Sequence, residues 1–397
     1  MSKESPPGSH SWNLLEPDPV GTFTKLCTQI GAQSVQVEQI KLLDREAIRN
    51  LRPIHGLIII IKHKLESFIS KDDSTTNANN HIYFSNQVVH DAYAMHALLN
   101  VLLNNSDTVD IGRELDHFKQ FTNDFTSMLK GLTLTNSHVL RQAHNSLSGR
   151  TSKSEESNNE IYHSISYIQS DGYVWELDGL KRGPLKLGAC NDNNWLDVAH
   201  LEIAKRCEMY QRQNLKVTLW AVIEDRKLVY QRKLIEKLYI KREIEYFLDT
   251  QQPEWRISMN VPHWEEEYKH TMTHNERNKR GKMAFNQLLS YCKSFEQLPV
   301  QDQDMIRSFL RQNSSEEKQD VMDTWLQIQD DSLRLYESLG HELEKQEIYE
   351  SHASHHKEAT EKEDKHRPKT KTEKKLEQQQ HKLKKQAKAA EAKKGFE

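Results

Sequence analysis

"SNQVVHDAYAMHALLNVLLN", residues 85–104, opens polar and closes apolar. Ala97, Leu98, Val101 and Leu102 recur at helical spacing, with Leu99 and Leu103 beside them, so a buried helix is predicted behind Tyr93. Gln87 stands six positions ahead of that tyrosine. A glutamine amide preceding a helix N-terminus can donate to a developing oxyanion. A side chain at the terminus itself sits at the positive end of the helix dipole, where a thiolate is favoured. The stretch has the form of a nucleophile's pedestal, but a phenol stands on it.

Outward from this segment, "PVGTFTKLCTQIGA" (19–32) places Phe23, Leu26, Cys27 and Ile30 on one helical face, closed by Gly31. "GLIIII" (56–61) is a central strand, too short to span a bilayer. "LESFISKDDSTTNANN" (65–80) ends in turn formers and reads as an exposed loop. Two helices are expected over 111–147, and a polar surface loop over 148–160. "LKVTLWAVI" (215–223) is a second buried strand. From Asp225 a long helix carries Leu234, Leu238, Ile244 and Leu248 near one face. "VPHWEEEY" (261–268) opens a further helical region reaching about Gly340. Domains are thus expected as a disordered 1–10, a packed domain over 11–230, a helical linker and C-terminal domain over 231–340, and a charged tail over 341–397, disordered or singly helical.

"IYHSISYIQSDGYVWELDG" (161–179) is strand-like on both sides of an Asp-Gly turn. With "DG" or "QSDG" as the turn, paired indices sum to about 343 or 341. His163 then opposes Leu180 or Asp178, and in either register His163 and Asp178 share a face. A carboxylate beside an imidazole orients a histidine base and stabilises its cation. The alternative is a polar pair on the hairpin surface. Together Gln87, position 93, His163 and Asp178 supply the layout of cysteine-type acyl transfer with the sulfur missing.

Net charge is −3, which gives no global pull towards nucleic acid or anionic lipid. Residues 1–10 lack an apolar signal core, and no stretch approaches the roughly 18–20 apolar residues of a membrane span. Cys27, Cys190, Cys207 and Cys292 are scattered without CxxC spacing, which predicts neither disulfides nor zinc and suits a cytoplasmic or nuclear setting. "HASHH" (352–356) lies in a polar run without partner cysteines, so no metal or cofactor is expected. Glutamates interrupt the basic runs of the tail, and no aromatic residue interleaves there before Phe396, so direct nucleic-acid binding is not expected.

Several of these segments taken together resemble one family, the ubiquitin C-terminal hydrolases, papain-like cysteine deubiquitinases. "SWNLLEPDPVGTFTKLCTQIGAQSVQVEQI" (11–40) is similar to the family's opening, and "YFSNQVVHDAYAMHALLNVLLN" (83–104) to its oxyanion and nucleophile segment, which usually carries Asn-Ala-Cys-Ala-Thr. "KGLTLTNSHVLRQAHNS" (130–146) resembles the helices before its crossover loop, and 150–160 falls where that loop belongs. "YHSISYI" (162–168) and "YVWELDGLKRGPLKLGAC" (173–190) match its histidine and aspartate strands. The resemblance implies an α/β fold: a mainly antiparallel sheet of about six strands sandwiched by helices, with a knotted backbone and a helical C-terminal extension.

It also implies roles. Gln87 falls on the oxyanion donor, His163 on the general base, Asp178 on the orienting acid and Tyr93 on the nucleophile, with Asp91 and Met95 also departing from the usual Asn and Thr. No cofactor or metal is implied. A phenol titrates near 10 against about 8.5 for a thiol, and its oxygen stands a ring further from Cβ. The chain is therefore expected to lack thiol hydrolase activity, the aromatic ring crowding the channel that admits a Gly-Gly tail. The alternative is an active deubiquitinase, if position 93 is misread or another thiol serves. The extension is similar to the proteasome-associated branch, which implies ubiquitin plus a proteasomal ubiquitin receptor or a chromatin-remodeller subunit as partners. The Arg-His-Asn-Tyr signature of that branch is not cleanly present in 265–295.

Overall fold

The computed structural model describes residues 11–17, 21–40, 45–64, 81–148, 160–251, 254–258 and 315–366. The expected disordered 1–10, the expected loop at 65–80, all but the ends of that at 148–160, the region 259–314 with Cys292, and the tail beyond 366 lie outside these described residues.

The run Leu57–Ile61 becomes the middle of β2 (Ile54–Lys64), and its alternation explains why every position is apolar. Ile58 and Ile60 enter one core, whereas Leu57, Ile59 and Ile61 enter another on the opposite face. A strand buried on both faces has no polar side to show. Around it the sheet is six-stranded and antiparallel. The other strands are β1 (Val35–Ile40), β3 (Glu160–Ser170), β4 (Tyr173–Asp178), β5 (Leu185–Ala189) and β6 (Lys216–Glu224), in the order β1-β6-β2-β3-β4-β5. The expected α/β fold with a mainly antiparallel sheet between helices is the fold observed.

The Asp171-Gly172 pair turns the β3–β4 hairpin with both residues at positive φ, as a two-residue turn of this kind requires. Ser170 pairs with Tyr173 and Ile165 with Asp178, so indices sum to 343 and the alternative sum of 341 is excluded.

One face of the sheet carries α1 (Thr22–Gln29) and α3 (Tyr93–Leu102), reached through a tight turn at His90–Ala92. Every residue of α3 is buried. The hydroxyls of Ser164 and Ser166 donate to the carbonyls of Tyr93 and Ala97 at 3.1 Å each, stitching β3 to the helix. The other face is covered by α2 (Arg45–Asn50) and α7 (Trp195–Arg212).

Residues 111–147 hold three helices where two were expected: α4 (Gly112–Thr122), α5 (Ser127–Asn136) and α6 (His138–Asn145). The breaks fall at good N-caps. Thr126 accepts from the Leu129 N–H, and Ser137 accepts from the Leu140 N–H.

α8 (Arg226–Gln251) buries Leu234, Leu238, Ile244 and Leu248, as its spacing predicts. After the short α9 (Trp255–Ser258) comes α10 (Ser315–His366), whose residues 325–343 run antiparallel to α8. Leu339 packs on Leu234 and Leu238, Lys237 pairs with Asp331 at 3.1 Å, and Trp325 Nε1 donates to buried Glu245 at 2.9 Å. The expected helix end near Gly340 is not observed. Leu339 and Leu343 pack towards α8, and Glu342 accepts from Gln36 of β1 at 2.6 Å. These contacts on both sides of Gly340 offset the roughly 1 kcal/mol that a helical glycine costs. Residues from Gln346 form a second compact unit, whose described part is helical through His366. No described helix is long and apolar enough to cross a membrane.

α5 approaches Asn86 so closely that a Cβ on Gly131 would stand 2.1 Å from the Asn86 carbonyl oxygen. Gly131→Ala should therefore cost about 1–3 kcal/mol by overpacking, read as a lower urea midpoint with unchanged slope.

Candidate active site at the start of α3

The approach to α3 is tied to the end of β4. The Gln87 N–H donates to Gly179 O at 2.9 Å, and Asn86 Nδ2 donates to Gly179 O at 3.1 Å and Lys181 O at 2.6 Å. A Cβ at Gly179 would meet Gln87 Cβ at 2.9 Å and its nitrogen at 3.0 Å, so only glycine fits after Asp178. Asn86, Gly179 and Gly131 are positioning residues that sequence reasoning missed, because their roles exist only across this crossing.

The Gln87 side chain is buried, and its Nε2 lies 3.3 Å from His90 O and 3.5 Å from Tyr162 O. These bonds are long, so the amide is loosely held. It touches the turn leading into Tyr93 and the residue preceding His163. The structure thus brings Gln87 beside β3 at the residue before His163, and beside Gly179, which follows Asp178.

His163 Nε2 lies 3.0 Å from Asp178 Oδ1, and both residues are buried, at 3% and 6% exposure. The reading of a surface polar pair is overturned by this burial. Leu180 N also donates to Asp178 Oδ1, at 3.0 Å. Burial alone pushes the Asp178 carboxyl up. The His163 imidazole, the Leu180 N–H and the Lys181 charge outweigh it and hold the group below its ordinary value.

Two residues before Asp178, on the same strand face, Glu176 is fully buried. It is bonded by Lys181 at 2.8 Å, Arg206 at 2.5 Å and the Tyr167 hydroxyl at 3.2 Å. A glutamate inside "YVWELDG" signals such a buried ion, but its cation on α7 cannot be read from β4.

Tyr93 opens α3. Its side chain has no exposure. The ring stacks on Tyr162 at 5.2 Å with 23° between planes, and the hydroxyl donates to Leu15 O at 2.5 Å. The ring is enclosed by the N-terminal segment and β3. Burial, with Tyr162 and Glu16 adding to it, pushes the phenol well above its usual 10.

The described cysteines lie elsewhere. Cys27 is buried in α1 and its thiol is pushed up to about 12. Burial also raises Cys190, after β5, and Cys207, in α7. No group of three metal-ligating side chains occurs among the described residues.

Residues 12–208 match the family Peptidase_C12, ubiquitin carboxyl-terminal hydrolase, family 1. The chain is 38% identical over 242 residues to a ubiquitin carboxyl-terminal hydrolase isozyme L5 of Dictyostelium discoideum, covering 60% of this chain and 69% of that one. It is 31% identical over 280 residues to ubiquitin carboxyl-terminal hydrolase ubh-4 of Caenorhabditis elegans, covering 68% and 83%. A crystal structure of Trichinella spiralis UCH37 bound to ubiquitin vinyl methyl ester matches with a TM-score of 0.47 and 36% identity, over 56% of this chain and 86% of that one. The chain belongs to the ubiquitin carboxyl-terminal hydrolase family.

The Asp178 carboxyl gives a pH test. A carboxyl depressed in the folded state adds stability that is present above its unfolded value, about 3.9, and lost as pH falls through the folded value. In His163→Gln the Leu180 N–H and Lys181 still oppose burial, but without the imidazole the depression of Asp178 and the stability it adds are smaller. Urea midpoints between about pH 3 and pH 6 should therefore rise less steeply with pH in the variant than in the wild type.

Proposed function

We propose that this chain is a ubiquitin-recognising member of its family in which the covalent step is lost. Tyr93 stands where the family's cysteine nucleophile stands, Gln87 at the oxyanion donor, His163 at the base and Asp178 at its orienting acid. The observation that carries this reading is the Tyr93 phenol, which is fully buried and held protonated against the Leu15 carbonyl. Attack on an acyl carbon requires an ionised or base-activated group about 3–3.5 Å from that carbon. A phenol raised well above 10, with its one proton donated elsewhere, supplies neither.

The paired His163 and Asp178 have a role without catalysis, since a buried imidazole–carboxylate pair holds β3 and β4 in register beside Gln87. Among the described residues, a substitute thiol nucleophile is disfavoured by the burial that raises Cys27, Cys190 and Cys207. The region beyond residue 231, with α8, α10 and the charged tail, is assigned to docking of a proteasomal ubiquitin receptor or a chromatin-remodeller subunit in the cytoplasm or nucleus.

Incubation with a fluorogenic amide of the ubiquitin C-terminus should give no turnover above buffer, while immobilised ubiquitin retains the full chain. Turnover abolished by Tyr93→Phe, or abolished by thiol alkylation, overturns the loss of the covalent step. Failure to retain the chain on ubiquitin overturns the recognition role.

A further inference from the structure

We propose that His96 of α3 and His144 of α6 form an acid-sensitive latch on the approach to the site: while both imidazoles are neutral, α6 and Ser85 stay packed in the core around α3, and protonation of the pair frees them. The latch rests on this buried cluster alone and holds whether or not the chain binds ubiquitin.

The hydrogen bonds around each ring fix which nitrogen carries its proton. Asn100 Oδ1 accepts the Ser85 backbone N–H at 3.2 Å and the Ser85 hydroxyl at 3.4 Å. With its one proton committed there, Ser85 Oγ accepts from His96 Nδ1 at 3.1 Å. At the second ring, Asn145 Oδ1 accepts the Asn13 N–H and Asn145 Nδ2 donates to Ser11 O, each at 3.0 Å, so backbone groups set the direction of that amide. His144 Nδ1 lies 3.4 Å from Asn145 Oδ1 and is therefore the protonated nitrogen. Each imidazole is left with a bare Nε2. Both Nε2 atoms are buried, and neither has a hydrogen-bond partner among the described residues.

A proton added at either Nε2 would place a charge where nothing balances it. His96 and His144 are 1% and 0% exposed, and a charge on His144 would oppose one on His96. The buried ionisable groups on the surrounding elements are Cys27 of α1, Tyr83, Tyr93 of α3, Lys130 of α5, Arg141 of α6 and Tyr162 of β3. Lysine and arginine would only add repulsion, and burial keeps Cys27, Tyr83 and Tyr93 in their neutral forms. The buried carboxylates Glu176, Asp178, Glu245 and Glu342 lie on β4, α8 and α10. Burial accordingly pushes His96 down to about 3 and His144 down to about 4. A histidine depressed in the folded state adds stability that is complete above its ordinary value, about 6.5, and is lost as pH falls towards the folded value. Below pH 6.5 an opened form takes up protons that the closed form refuses. Ser85 stands two residues ahead of Gln87, so the opening reaches the oxyanion-donor segment.

The test reads amide exchange in the full chain at Ser85 and at 144–147, corrected for intrinsic rates, with Ile58–Ile61 of β2 as the reference. Between pH 7 and pH 5 protection at the reporters should fall roughly twenty-fold for each imidazole, and less at the reference. In His96→Gln and in His144→Gln the fall should be smaller by about that factor. An undiminished fall in both variants overturns the latch, as does an equal fall at 58–61, which marks global acid unfolding. Imidazole nitrogen resonances of the wild type need no variant. Both rings should hold their proton on Nδ1 and remain neutral at pH 5.5, and titration of either ring near 6.5 overturns the proposal.

Discussion

The backbone bond from Gln87 to Gly179 is the crossing on which the site depends. It joins two segments more than ninety residues apart, one leading into α3 and the other leaving β4 directly after Asp178. No side chain fits between them at Gly179, and α5 presses from the far side through Gly131. With the crossing in place, Asn86 clamps the loop after Asp178 and Gln87 lies against the residue before His163. Without it the imidazole–carboxylate pair and the glutamine would belong to separate elements with nothing to fix their spacing.

Burial then decides the chemistry at each position. The same loss of water that raises the Tyr93 phenol and the Cys27 thiol would raise Asp178, but there His163, a backbone N–H and Lys181 outweigh it. Glu176 is fully buried and kept company by Lys181 and Arg206, so β4 carries two enclosed carboxylates with different partners. Glu176 ties the sheet to α7, whereas Asp178 orients a histidine. Removing either partner of such a pair strands a charge in a dry site, which is why these residues are costly to change even where no reaction takes place.

At the C-terminal side, α8 and α10 make a seam in which tryptophan, glutamate and lysine are buried together. Trp325 donates to Glu245 and receives Lys241 over its ring at 4.9 Å. α10 then reaches β1 through Glu342 and Lys345, which bond Gln36 and Glu38. The extension is thus fastened to the sheet's edge by polar contacts, while its apolar residues are spent on α8.

Local pattern determined much of this protein. The five apolar residues after Gly56 required a strand buried on both faces, the Asp-Gly pair required a tight hairpin, and the period of 85–104 required a buried helix beginning at Tyr93. Those are properties of neighbours in the chain, where sterics and periodicity act, and from them His163 and Asp178 could be placed on one face. What the tertiary structure alone decided was the register of the hairpin, the break between α4 and α5, the persistence of α10 beyond Gly340, and above all the direction of the Tyr93 side chain. The reason is that each of these depends on a partner remote in sequence: Leu15 and Tyr162 for the phenol, α8 and β1 for the glycine within α10, Gly179 for Gln87. A sequence states which groups are available; the enclosing structure settles which of them water still reaches, and so which retain a proton.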